Sequence, residues 1–223
     1  MKKLGLITIG QSPRTDVLPD IEPIFGPDVE LHQAGALDGL TREEIAQMAP
    51  GPGDYVLISK LRDGGSAVFG ERHILPRLQS CIDRLEGEGV SMILFLCTGA
   101  FPGFHSTVPL YFPCSILNGA VPALAPRSHI AVVTPRPEQL EQTAEKWQDF
   151  VEHAEVVVAS PYGEKEELDR AADQVADMDV DLAVLDCIGY TTEMKRRFRE
   201  RSGKLTVLSR TIAARNIMEL LAD

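Results

Sequence analysis

Long apolar runs are missing from this chain, and no stretch approaches the roughly 20 residues needed to span a bilayer. Basic residues are in the minority, with 22 Lys and Arg against 33 Asp and Glu and a net charge of −11. That balance argues against broad nucleic-acid binding, which needs clustered cations to neutralise phosphates. Cysteine is scarce, at positions 81, 97, 114 and 187, with no CxxC pair and no spacing to histidine that would hold zinc. Glycine-rich nucleotide fingerprints are absent, because Gly51-Pro52-Gly53 and Gly64-Gly65 precede strands and turns and not helices. A Cys-His-Asp hydrolase lacks support, since no nucleophile elbow or histidine-tipped strand accompanies the thiols. Neither a metal nor a cofactor is expected. The segment Met1-Lys2-Lys3-Leu4-Gly5 runs straight into a strand without a signal-peptide apolar region, so a cytoplasmic location and reduced thiols are expected.

What is present is an ordinary globular composition, 44% hydrophobic and 25% charged over 223 residues. Two segments stand out, Ser91 to Ala100 and Asp181 to Tyr190. Each reads as a strand covered on both faces that ends in a cysteine, Cys97 or Cys187, with glycine two residues later. A residue at the C-terminal tip of such a strand faces the crevice where open α/β sheets bind ligands.

The signals recur in one order in both halves. Lys3 to Ile9 is a strand followed by Gly10-Gln11-Ser12-Pro13-Arg14, with Ser12 as helix cap and a helix through Asp16 to Ile21. A matching unit opens at His129, with Thr134 as cap, Pro135 in the first turn, Arg136, and a long amphipathic helix from Glu138 to about His153. Strands and helices alternate throughout, which predicts an α/β fold of two pseudo-symmetric parallel-sheet halves. The expected division is 1–112, completed by the last segment 205–223, and 113–204. Ser12 and Cys97 are 85 residues apart but Thr134 and Cys187 only 53, because the first half carries an extra hairpin turning at Arg62 to Ser66. That insertion is read as a lid or a dimer contact, a homodimer being the default assembly. Thr41 and Glu44 form a capping box, and Cys81 lies on the apolar stripe of a helix from Glu71 to Glu86. Cys114 reads as structural, and the basic run Lys195 to Arg201 as a solvated helix surface.

From Gly5-Leu-Ile-Thr-Ile-Gly-Gln-Ser-Pro-Arg14 to Leu185-Asp-Cys-Ile-Gly-Tyr-Thr191 the chain resembles the AroM family, itself similar to the aspartate/glutamate racemase superfamily. The resemblance implies two α/β halves around a cleft, a catalytic cysteine from each, and no cofactor. It also places Cys97-Thr98-Gly99 and Cys187-Ile188-Gly189-Tyr190-Thr191 at the substrate. Where glutamate racemases carry an acidic opening loop, Asn-Thr and Thr-His, this chain has Gly10-Gln11-Ser12, Thr98-Gly99 and Ile188-Gly189. The departures point to a substrate without an α-amino group.

Inverting a carbon next to a carboxylate needs a base on one face and an acid on the other, and two opposed thiols can serve. A helix beginning just beyond each cysteine would lower its pKa. Gly99 and Gly189 would let backbone amides approach an anionic oxygen. Ser12, Thr98, Thr134 and Thr191 are candidate hydroxyl donors. Arg14 and Arg136 are candidate anchors for a carboxylate or phosphorylated metabolite. Asp186 would tune or orient Cys187, or cap the next turn, and His105 reads as a surface or packing residue. The expected activity is a cofactor-independent racemase or isomerase. A noncatalytic sensor of a small anion linked to aromatic amino-acid biosynthesis, or a lyase of decarboxylase type using one cysteine, are the alternatives.

Overall fold

The computed structural model describes residues 2–222. β1 (Lys2–Thr8) is followed by α1 (Leu18–Phe25), β2 (Val29–Gly35) and the short α2 (Arg42–Ala46). Then come β3 (Val56–Lys60), β4 (Ser66–Gly70), α3 (Leu75–Gly87), β5 (Met92–Leu96) and β6 (Leu110–Tyr111). α4 (Pro113–Leu124) leads to β7 (His129–Thr134), α5 (Leu140–Gln148), β8 (His153–Val158) and α6 (Lys165–Ala176). β9 (Leu182–Leu185), α7 (Thr192–Ser202), β10 (Leu205–Leu208) and α8 (Ser209–Leu221) complete the chain. Among the described residues no helix is long and apolar enough to cross a membrane.

Two four-stranded parallel sheets have orders β2-β1-β5-β6 and β8-β7-β9-β10, so the second repeats the first element for element. The central strands are apolar at consecutive positions because both faces are covered. Ile93 to Leu96, Ile130 to Val133 and Leu182 to Leu185 are all buried. On one face of the first sheet, Ile7, Ile93 and Phe95 meet Leu78, Ile82 and Leu85 of α3. On the other, Leu4, Leu6 and Leu94 meet Ile21 and Phe25 of α1 and Ala213, Ile217 and Leu221 of α8. The last helix thus returns to cover the first sheet. Burying each of these large side chains contributes about 1.5–3 kcal/mol.

Three helices differ at their boundaries from the sequence expectation, and the simplest case is α3, which starts at Leu75 after a 3-10 turn at Glu71–His73 and not at Glu71. α1 starts at Leu18, not after Ser12. The Ser12 amide and hydroxyl both donate to Asp38, at 2.8 and 2.5 Å, and the Arg14 amide donates to Gln33 Oε1 at 3.0 Å. Those bonds hold 9–17 as a loop. α5 ends at Gln148, because the Glu152 amide turns to Ser128 Oγ at 3.0 Å and His153 already pairs with β7. The capping box at Thr41 and Glu44 is present. The basic run lies on α7, with Arg197 and Arg201 paired to Asp169 and Asp173 of α6.

The extra hairpin, β3 paired antiparallel to β4, forms a roof fastened at both ends. Val56 exchanges hydrogen bonds with Gln142 at 2.9 and 3.0 Å and accepts a further one from Gln139 Nε2 at 3.1 Å. At the tip, Arg62 donates to Gln11 Oε1, the Ser12 carbonyl and Asp38.

Candidate active site

The C-terminal ends of β1, β5, β7 and β9 converge on a cavity of about 520 Å³ including its mouth, roofed by Tyr55, Leu57 and Ile58 of the hairpin segment. Cys97 follows β5 and Cys187 follows Asp186 at the end of β9, and both line the cavity. The two turns are matched. The Gly99 amide donates to Cys97 Sγ at 3.3 Å, and the Gly189 amide to Cys187 Sγ at 3.3 Å.

Burial pushes the Cys97 thiol up to about 12, with the Gly99 amide and Lys146 opposing it. Burial pushes Cys187 to about 11, with the Gly189 amide and Arg14 opposing. The expected lowering by adjacent helices does not occur. After Cys97 the chain runs as a loop to β6, and after Cys187 a turn precedes α7. At pH 8 a thiol with the Cys187 value is ionised in about one molecule per thousand. Alkylation of this site by iodoacetamide is therefore expected to accelerate about tenfold per pH unit between 8 and 10. A plateau near the ordinary thiol value of about 8.5 would contradict the burial effect.

Each thiol has a cation supplied by the other half. Arg14, nearly fully buried, reaches Cys187 electrostatically and is held by Asp16 through two bonds of 2.8 Å. Its Nη1 donates to Thr8 Oγ1 at 3.0 Å. Burial works against the Arg14 charge, yet the Asp16 carboxylate overrides it and the pKa stands above the ordinary value. Lys146, on α5, donates to Asp186 Oδ2 at 2.7 Å and to the Thr98 carbonyl at 3.0 Å. Asp186 Oδ2 also receives Trp147 Nε1 at 2.9 Å, and the Asp186 carbonyl receives Thr98 Oγ1 at 3.0 Å. The residue after one thiol is thereby tied to the residue before the other.

Among the residues singled out in the sequence, Arg14, Cys97, Thr98, Gly99, Thr134, Cys187 and Gly189 line the cavity. The Thr98 hydroxyl is spent on Asp186, and Thr134 Oγ1 accepts from Thr143 at 3.2 Å and caps no helix. Four residues lie outside the lining. Ser12 is bound to Asp38, and Arg136 is half-exposed and paired with Glu138 at 3.0 Å. Tyr190 is buried in the second-half core with its hydroxyl on the Ala159 carbonyl. Thr191 caps α7 by accepting from the Met194 amide at 3.1 Å. Asp186 caps no turn and does not bond its neighbouring thiol, but its charge is among the causes that raise the Cys187 pKa. Sequence reasoning missed Lys146, Gln139, Gln142, Tyr55 and Tyr162, all on the lining. Gly189 is required for a steric reason, because a Cβ there would stand 2.5 Å from Tyr162 Oη and 2.7 Å from Pro161 Cγ. Gly189→Ala is expected to cost about 1–3 kcal/mol in urea unfolding, and an unchanged midpoint would show that Tyr162 moves aside freely. Among the described residues no group of three or more His, Cys, Asp or Glu could hold a metal ion.

Two parallel-sheet halves of matching order, with a thiol from each at a shared cleft, define a protein of the racemase-type α/β fold. The structure of maleate isomerase Iso from Pseudomonas putida S16 matches 99% of this chain and 92% of its own length, at 14% identity and a TM-score of 0.66. Allantoin racemase from Klebsiella pneumoniae matches 100% and 88%, at 14% identity and a TM-score of 0.70. Glutamate racemase from Aquifex pyrophilus matches 98% and 83%, at 15% identity and a TM-score of 0.61. At such identities the likeness is one of fold. No curated protein matches the sequence. Residues 4–221 match the family described as AroM protein, and the chain belongs to that family.

Proposed function

We propose that this AroM-family protein is a cofactor-independent racemase or isomerase of a small carboxylate, with Cys97 and Cys187 as its acid/base pair. The observation that carries the reading is the matched pair of Cys-x-Gly turns on one cavity, each sulfur bonded to the glycine amide. Proteins of the same fold are named as racemases, maleate isomerase and arylmalonate decarboxylase, so the fold supports a racemase, isomerase or lyase.

In the forward direction one thiolate removes the proton from the acidic carbon and becomes a thiol. The carbanion then takes a proton from the opposite thiol, which becomes the thiolate; this form acts on the other hand of the substrate, and proton exchange with solvent returns it to the starting form. Arg14 favours the thiolate of Cys187 and Lys146 that of Cys97. The same two cations stand beside any carboxylate in the cavity. The roof and buried walls keep water from the carbanion.

The high thiol pKa values also suit a binding protein whose thiols are inert. The two readings separate in D2O. Small carboxylates that raise the melting temperature of the wild-type protein are followed by NMR, and deuterium is expected at the carbon next to the carboxylate. Stabilisation by such acids with no deuterium entering any of them would leave a sensor and remove the enzyme.

A further inference from the structure

Beside the cleft lies a second cavity, of about 660 Å³ including its open mouth, in the seam between the hairpin tip and the loop after β1. Lys60 and Arg62 line it from one side, and Gln11, Arg14, Thr15 and Asp16 from the other. Arg14 also lines the cavity of the thiols, so the two spaces adjoin at that residue.

The charges around this seam do not balance. Arg14 is paired with Asp16 through two bonds of 2.8 Å, and Arg62 with Asp38 at 2.8 Å. Lys60 is the cation left over, since its half-buried ammonium, at the end of β3, has no ion pair or hydrogen bond among the described residues. Donors without acceptors stand around it. Gln11 Oε1 accepts from the Arg62 amide at 3.0 Å, and that bond orients the side chain so that Nε2 is the end with no protein partner. The hydroxyl of the exposed Thr15 likewise has none among the described residues. Arg62, half in solvent, bonds through Nε and Nη2 and leaves Nη1 unused. Asp16 is the one carboxylate on the lining, and both its oxygens are taken by Arg14, with Arg210 nearby.

An unmatched cation in a concavity, surrounded by reachable donors, is complementary to an anion with several acceptor oxygens. A phosphate group presents three or more of these, directed to different sides. We infer that the seam is a binding site for a phosphate group, held by the Lys60 ammonium and by the free donors of Arg62, Gln11 and Thr15. Because those donors come from both sides, the bound phosphate joins the hairpin tip to the β1 loop. Two sources could supply it: the free ion, or the distal group of an acid whose carboxylate lies between the thiols. Only the second rests on the reading of the cleft as a carboxylate site.

Titration calorimetry with inorganic phosphate, in about 0.15 M KCl to screen non-specific attraction, tests the site. Lys60→Met is expected to weaken binding about tenfold or more, the effect of one charge-assisted hydrogen bond, and Thr15→Val about threefold. Lys3→Met removes the same charge at the far end of β1 and is expected to change the affinity less than about twofold. Hydrogen exchange at the Arg62 amide, which Gln11 holds across the seam, is expected to slow when phosphate is added to the wild-type protein. Should Lys60→Met lower the melting temperature, Thr15→Val and that exchange measurement decide. Absence of phosphate binding by the wild-type protein, unchanged affinity in the Lys60 and Thr15 variants, or an equal fall in Lys3→Met each overturns the inference.

2-Phosphoglycolate and 3-phosphoglycerate separate the sources. Binding about tenfold tighter than inorganic phosphate, and lost in Lys60→Met, identifies the distal group of a substrate, whereas equal affinity identifies the free ion. Either result upholds the site. Deuterium exchange into small carboxylates tests the acid/base reading by itself: exchange with no phosphate bound removes the site alone, and phosphate binding without exchange removes the chemistry alone.

Discussion

Cys97→Ala and Cys187→Ala are each expected to slow inversion of the substrate carbon by about 10²–10⁴-fold, the range for loss of one positioned acid or base. Inversion needs a group on each face, so either single loss stops it and the double variant is barely worse than the singles. The folded state should survive, because each sulfur accepts only the amide two residues on and alanine leaves the neighbouring strands in register. What persists is informative. Each variant keeps one base, so each is expected to exchange deuterium into one hand of the substrate, and the two variants into opposite hands. Chiral chromatography with NMR in D2O reads both quantities. Inversion at the wild-type rate in either variant would remove the pair of thiols as the working groups. A lyase with one working cysteine would show loss in a single variant and no crossed pattern.

Arg210→Met is expected to destabilise the fold by about 3–5 kcal/mol, the range for breaking a buried ion pair from one side. The Arg210 side chain is fully buried and joins α8 to both halves of the molecule. It donates to the carbonyls of Ile188 and Gly189 beyond Cys187, to the Asp16 carbonyl, and to Asp20 at 2.9 Å. Burial draws its pKa below the ordinary value against the pull of Asp20 and Asp16, which marks how completely its water has been removed. Methionine fills much of the space but leaves three buried carbonyls without a donor. In a chain of 223 residues the loss corresponds to a fall in melting temperature of about 10 °C or more. A change below about 1 kcal/mol in urea unfolding would mean that water replaces the guanidinium, and would contradict the assignment.

The strands and their cysteine tips were legible because both depend on local signals. Consecutive apolar positions at Ile93 to Leu96 and Leu182 to Leu185 mark strands covered on both faces, and the next chain reversal puts Cys97 and Cys187 at the edge. The duplicated order of signals corresponds to the duplicated sheet order. Ser12 and Thr134 were misread as caps because a hydroxyl before proline has the same local signature whether it caps a helix or bonds elsewhere. Asp38 and Thr143, the partners that decide, are distant in sequence or on a later helix. Arg14 and Arg136 occupy equivalent places in the two openings, yet Asp16 and the β1 loop draw one inward while Glu138 holds the other at the surface. Lys146 gave no signal. It is one cation on an amphipathic helix, and its part emerges only when α5 is packed against the ends of β5 and β9.

The hairpin roof is made fast to the first half through Arg62 and to the second through Val56. It therefore acts as a strap across the mouth, and spreading the halves to admit or discharge a molecule stretches one of its two fastenings. The Arg62 end lies half in solvent, where water can take over its hydrogen bonds, whereas the Gln139 bond to Val56 is buried. The tip is thus the weaker of the two fastenings.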